Sequence, residues 1–205
     1  MTDPVITDYY LIRHAPVAGS KSGIYASADE PADLSNTDKF KAVSTRLPTN
    51  AVWFTSPLKR TQMTANALAE LLGKPSIKID NRLTEQDFGN WFGLTPEKLW
   101  AKIKHLKGHN WAWLSAETIP DGGESFLDIW KRTAAFMEDT VGLTDNRPRV
   151  IVSHAGVIRA FIGNALSLSP DTAISLGINT LSLSHMQHTT GERRGGAWRL
   201  VSQNT

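Results

Sequence analysis

The stretch YYLIRHAP, residues 9–16, decides how the rest of the chain is read. Two aromatic and two aliphatic residues run straight into Arg13 and His14, then into a small residue and a proline. An apolar run without polar alternation reads as a strand buried on both faces, the habit of parallel sheets. A buried strand that ends by delivering two polar, ionisable side chains delivers them to something that uses them. The arrangement recurs in VIVSHAG, 150–156, where a second apolar run stops on His154.

Outward from these two strands the chain alternates between short apolar runs and amphipathic helices. The first strand covers about 8–13. Ser35 or Asn36 caps a helix running to Leu47, with Pro48 beyond its end. AVWFT, 51–55, is a strand; Ser56 then serves as N-cap and Pro57 as first helical residue. That helix carries Leu58, Ala65, Leu68, Ala69 and Leu72 on one face and stops at Gly73 and Pro75. SIKID, 76–80, is a third strand. From Gly89 to Pro120 the pattern loosens around a helix from Pro96 to about Leu106, capped by Thr95. A helix over about Ser125–Asp139 displays Phe126, Trp130, Ala134 and Met137. RVIVS, 149–153, leads through His154 into a helix from Val157 to Leu168, with Val157, Ile158, Phe161, Ile162, Ala165 and Leu166 at i, i+3, i+4 spacing. The tail alternates through Leu181, Leu183 and His185 and closes a hairpin with AWRLV, 197–201, its turn at GERRGG, 191–196.

Unalternated strands interleaved with helices give an α/β fold, a three-layer sandwich whose mostly parallel sheet has helices on both faces and an antiparallel C-terminal edge. In such sheets a ligand binds outside the carboxyl ends of the strands, at the switch point of strand order. Both histidines leave the sheet there.

Composition narrows the classes of function. The 205 residues suit one domain with a modest insertion, large enough for a hydrophobic core to hold alone. A formal charge of +2 and the absence of a Lys/Arg block argue against nucleic acid. No apolar stretch approaches the roughly 20 residues of a membrane span, and the first residues lack a basic signal-peptide region. With no cysteine there is neither disulfide nor thiolate chemistry. The expectation is a soluble cytoplasmic protein. His105 with His109, and His185 with His188, have helix-like spacing but lack a carboxylate in a recognised arrangement, so no metal and no cofactor are expected.

If strands one and four are neighbours, Arg13, His14 and His154 converge with Arg60 from the start of the second helix. Helix N-termini add free N–H groups and positive dipole ends. Burying such a cluster empty is costly, and a polyvalent anion removes the cost. Phosphoryl oxygens match the planar fork of arginine, so the spot reads as a phosphate pocket.

At these segments the chain resembles the histidine phosphatase superfamily, the phosphoglycerate-mutase-like proteins. LIRHAPV is similar to its first-strand R-H-G signature, SPLKRTQMTA to its S-P-x-x-R-x-x-x-T-A segment, and LTEQDFGNWFG to its L-x-E-x-D-F-G-x-W-x-G segment. PDGGESF and VSHAGVIR are similar to its P-x-G-E-S and S-H-x-G-x-I-R elements. Among members, the short chain and the EQDFGNW segment look most like bacterial small phosphatases of the α-ribazole phosphatase type. The resemblance implies one domain over 1–205 with a Trp-rich helical insertion or lid at about 89–120. It implies His14 as nucleophile, Glu85 as general acid and then base, and His154, Arg13, Arg60 and the backbone N–H of Ala155 on the phosphoryl oxygens. Glu85 is then expected to be partly buried beside Phe88 or Trp91. Ala15, Val17 and Ser20 depart from the usual Gly, Thr and Asn; Ser20 is retained as a phosphate-side residue with a shorter reach.

The expected activity is metal-independent hydrolysis of a small phosphate monoester through phosphohistidine, with α-ribazole 5'-phosphate as one substrate of that type. The alternatives are a phosphoglycerate mutase, a phosphoprotein phosphatase, or a non-catalytic phosphate-binding scaffold. A mutase would want basic residues over the site, and the insertion offers mainly Lys98, Lys102, Lys104 and Lys107. Of the seven tryptophans, Trp91, Trp100, Trp111 and Trp113 fall in the irregular segment, where two or three are expected to wall the pocket against a leaving group bulkier than glycerate. Arg132 and Arg159 are expected in structural ion pairs. The only protein partner in view is a second copy paired through the C-terminal hairpin edge.

Overall fold

The computed structural model describes residues 4–19, 27–143, 145–190 and 197–205. Its centre is one six-stranded sheet of order β3-β2-β4-β1-β5-β6. β1 (Ile6–Arg13), β2 (Val52–Thr55), β3 (Ile77–Ile79) and β4 (Arg149–Ser153) run parallel; β5 (Leu183–Thr189) and β6 (Trp198–Ser202) complete an antiparallel edge. The chain moves from β1 past the future place of β4 to β2 and β3, then returns to insert β4 between β1 and β2. That reversal is the switch point, and it lies where Arg13 pairs with Ser153 and Thr55 with Val152.

Both faces of the central strands are buried, and the residues divide by parity. Tyr9, Leu11, Val52, Phe54 and Ile151 join one core with α4 (Phe126–Val141) and α5 (Ala155–Ala165). Ile12, Trp53, Val150 and Val152 join the other with α1 (Thr37–Ser44) and α2 (Lys59–Glu70). Residues i and i+2 of a strand share a face, so an all-apolar run must find cover on two sides. A third, smaller cluster of Trp91, Leu99 and Ile103 sits under α3 (Pro96–Ile103), whose N-cap is Thr95. Asn36 caps α1 by accepting from the Lys39 N–H, and Ser125 opens α4 in a capping box with Asp128.

Three starts differ from the sequence expectation. α2 begins at Lys59 with Leu58 as N-cap, because Ser56–Pro57 form the turn before it and the Ser56 hydroxyl is engaged elsewhere. α5 begins at Ala155, immediately after β4, with His154 as its N-cap. A short helix α6 (Pro170–Ile174), capped by Ser169, was not anticipated. The expected turn at 191–196 and the expected phosphate-side residue Ser20 lie outside the described residues. Among the described residues, no helix is long and apolar enough to cross a membrane.

Candidate active site

β1 and β4 end side by side, so the two histidines do too. The ring centroids of His14 and His154 are 5.1 Å apart with planes inclined at 62°. His14 N–H donates to Ser153 O at 2.9 Å, and the Ala15 N–H donates to Thr64 Oγ1 at 3.0 Å, while Thr64 donates to Arg60 O at 2.7 Å. The end of β1 is thereby tied to β4 on one side and to the first turn of α2 on the other.

The His14 tautomer follows from its partners. Nδ1 lies 2.7 Å from Ala15 O, and a carbonyl only accepts, so Nδ1 carries the proton. Nε2 keeps its lone pair, toward which Arg60 Nε donates at 3.3 Å. Burial, with Arg60 and Arg13 nearby, pushes the His14 pKa down to about 3 despite the Ala15 bond, so the ring is neutral near pH 7. His154 is completely buried; burial first, then Arg60 and His14, hold it well below its ordinary value. Its Nε2 lies 2.9 Å from Ser56 Oγ, and its Nδ1 is buried without a hydrogen-bond partner among the described residues.

The arginines frame this pair. Arg13 donates through Nη1 to Ile178 O at 2.6 Å, and Arg60 through Nη1 to Ala28 O at 2.6 Å. Both line a cleft of about 570 Å³, as do Glu85, Ala155, Gly156 and Arg159. The imidazoles, 1% and 0% exposed, do not themselves line it; His14 adjoins it through Arg60, whose Nε donates to His14 Nε2 at 3.3 Å. Ala155 and Gly156 are the first residues of α5, so the positive end of that helix faces the cleft, with the Gly156 N–H turned to Glu85 and the Ala155 N–H left for a ligand.

Glu85 reaches the same spot from a loop pinned at several points. Its Oε2 accepts from Gly156 N–H at 3.4 Å and its Oε1 from Gln86 N–H at 3.1 Å. A Cβ at position 156 would stand 2.4 Å from Glu85 Oε1, so the carboxylate depends on a glycine there. Arg132 bonds Arg82 O and Glu85 O while pairing with Glu124 at 2.8 Å, the ion pair expected of it. The segments EQDFGNW and PDGGES are joined face to face: Glu124 N–H donates to Asp87 O at 2.9 Å and Asn90 N–H to Asp121 O at 2.8 Å. At Gly123 a Cβ would meet Asp87 O, leaving no room for any side chain. Glu85 is partly buried, with Phe88 and Trp91 on the same wall.

Of the four tryptophans in the irregular segment, two or three of which were expected at the pocket, Trp91, Trp111 and Trp113 line the cleft; Trp100 is exposed and does not. Lys98, Lys102, Lys104 and Lys107 do not line it. Ala15 is sealed in the core, and Val17 is buried in a bridge to Ala32, so neither departure from the family pattern faces the cleft. Arg159 corrects its expectation: among the described residues it makes no ion pair, donates Nε to Leu176 O at 2.8 Å and faces the cleft. Ser56 and Thr64 were missed as site residues. Both lie inside the SPLKRTQMTA segment, the only signal that could have found them. His185 pairs with Asp8 at 2.7 Å and His188 packs on Trp198, each far along β5 from the cleft.

A family model for the histidine phosphatase superfamily (branch 1) matches residues 9–203. The chain belongs to that superfamily. A phosphoserine phosphatase 1 from Hydrogenobacter thermophilus is 31% identical over 86% of this histidine phosphatase and 85% of its own length. A mycobacterial glucosyl-3-phosphoglycerate phosphatase solved with VO3 superposes with a TM-score of 0.78 at 26% identity, covering 97% of this chain and 98% of that one. The α-ribazole phosphatase of Shigella flexneri shares the fold, with a TM-score of 0.79 at 20% identity over 97% and 96% of the two chains.

Proposed function

We propose that this histidine phosphatase is a metal-independent phosphomonoesterase that works through a phosphohistidine. The observation that carries the reading is the neutral His14 ring, its Nε2 lone pair turned toward Arg60 and its neighbour His154 5.1 Å away. Nε2 attacks phosphorus in line, the ester P–O bond breaks, and Glu85 gives its proton to the departing oxygen. Glu85 then takes a proton from water, whose oxygen attacks phosphorus. The P–N bond breaks, and neutral His14 and inorganic phosphate are left.

Arg13, Arg60 and the Ala155 N–H hold the equatorial oxygens and balance the charge that spreads over them. Ser56 Oγ already accepts from the Leu58 N–H, which leaves its proton for His154 Nε2; with Ser56 as donor the His154 proton sits on Nδ1, a buried group with no partner among the described residues and a phosphoryl oxygen as its acceptor. Permanent guanidinium charge does the work a metal ion would otherwise supply.

The apolar wall of Phe88, Trp91, Trp111 and Trp113 favours a leaving group bulkier than glycerate, and α-ribazole 5'-phosphate is one ester of that build. A mutase would need cations over the site, and the insertion's lysines stay off the cleft. The test is hydrolysis of p-nitrophenyl phosphate with EDTA present, for wild type and His14→Ala. EDTA-insensitive turnover that disappears in the variant is expected. No turnover on a broad panel of phosphate esters would leave a phosphate-binding scaffold instead.

A further inference from the structure

Residues 176–178, just after α6, form a strap whose three carbonyls serve different partners. Leu176 O accepts from Arg159 Nε at 2.8 Å and Ile178 O accepts from Arg13 Nη1 at 2.6 Å. Between them Gly177 O accepts from Gln203 Nε2 at 2.8 Å and Asn204 Nδ2 at 2.7 Å. Asn204 Oδ1 in turn accepts from Asn179 N–H at 2.8 Å. The strap thus holds two guanidinium groups that line one cleft, through carbonyls two residues apart.

The phosphate reading uses only one of them. We infer that Arg159 is a specificity-determining residue, a fork for a carboxylate carried on the substrate's leaving group a few bonds from its phosphate. The inference rests on the phosphomonoesterase reading and narrows it to a substrate class. Arg159 is half-buried and its terminal nitrogens have no hydrogen-bond partner among the described residues. Those nitrogens are not sealed, and the cleft is what Arg159 lines. The nearest acid on that wall, Glu85, spends its two oxygens on backbone N–H groups and lies outside ion-pair distance of Arg159. Among the described residues no lysine lines the cleft, so beyond Arg13 and Arg60 the cation they offer a ligand there is Arg159.

A half-buried guanidinium whose neighbouring carboxylate, Glu85, stays beyond ion-pair distance is incompletely compensated, and a planar carboxylate meets its two parallel N–H groups. A wholly neutral aromatic ester would fill the apolar wall and leave this fork unanswered. With both guanidinium groups held to one short strap, the carboxylate belongs a few bonds from the ester oxygen, with apolar bulk extending toward Trp111 and Trp113.

The test compares O-phosphoserine with phosphoethanolamine, esters that differ only by the carboxylate, in wild type, Arg159→Gln and Arg159→Lys. Wild type is expected to favour phosphoserine in kcat/KM by about 10- to 100-fold, the scale of a charged hydrogen-bonded pair. The ratio should fall to near one in Arg159→Gln and recover in part in Arg159→Lys, which keeps the charge without the fork. A wild-type ratio near one overturns the inference even if a variant does not fold, as does a ratio that Arg159→Gln leaves unchanged. p-Nitrophenyl phosphate separates the two failures: if it is turned over while the ratio fails, only the subsite is lost, and if no ester is turned over, the phosphomonoesterase reading falls and takes the subsite with it.

Discussion

His14 and His154 face each other at 5.1 Å with both rings held neutral, one at the end of each of two neighbouring parallel strands. The first consequence concerns stability. An unfolded imidazole takes up its proton near pH 6.5, whereas His14 in the fold resists until about 3. Between those values the unfolded chain binds more protons, so stability must fall as pH is lowered through the window and level off below it. For His14 alone the loss from pH 7 to pH 5 is about 2 kcal/mol. Denaturant unfolding at the two pH values, in wild type and His14→Asn, should give a smaller loss in the variant. An equal loss would contradict the buried neutral ring.

Ser56→Ala tests the outer partner of His154. The substitution leaves Nε2 buried without its hydroxyl and frees the ring to exchange tautomers. Stability should drop by about 1–3 kcal/mol, the cost of a buried polar atom left unpaired. Turnover of p-nitrophenyl phosphate should fall by about tenfold or more, the loss of one aligned donor in a charged transition state. The ¹⁵N shifts of His154 would report the mixed tautomers, and a single unchanged tautomer would refute the role given to Ser56.

Gly156→Ala separates acid catalysis from folding. The new Cβ collides with Glu85 Oε1 at 2.4 Å and touches Ile129 Cδ1 at 3.2 Å, and a carboxylate at the end of a side chain gives way easily. The melting temperature should move little. Alkyl phosphates, whose leaving oxygen needs a proton, should lose about 10²-fold in kcat, and p-nitrophenyl phosphate much less. Equal losses on both esters would place Glu85 outside the proton-transfer step.

Trp113→Ala and Trp91→Ala probe the apolar wall from opposite ends of exposure, at 56% and 5%. Removing Trp113 should raise KM for aromatic phosphate esters several-fold with stability unchanged. Removing Trp91 should also cost about 3–5 kcal/mol, since it anchors the cluster with Leu99 and Ile103. Unchanged KM values for every aromatic ester in both variants would remove the wall from the account of specificity.

What the sequence could reveal follows from what each residue depends on. The ends of β1 and β4 were readable because an apolar run that stops on a histidine is a local pattern, and the apolar stripe of α5 for the same reason. Ser56 was misread because Ser-Pro is a strong local start signal, while its actual partner His154 is 98 positions away. α6 carries a similar Ser-Pro start at Ser169–Pro170 but spans only five residues, too few for periodicity to register. Arg159 lies on a helix whose apolar stripe was clear, yet which of its remaining faces meets the cleft depends on how α5 docks against the strap. The strap was invisible for a deeper reason: its part in the site is played by backbone carbonyls, which no side-chain pattern records.

The two joints at Asp87–Glu124 and Asn90–Asp121 close a neck across which the tryptophan-bearing excursion hangs. The Glu85 loop is secured on the near side of that neck, while the far side returns to the core through Ala116, whose N–H donates to Asp171 Oδ1 at 2.9 Å. Exposed side chains between these ties, such as Trp111 and Trp113, are interchangeable tool heads: replacing them changes what is gripped while the machine behind them keeps its alignment.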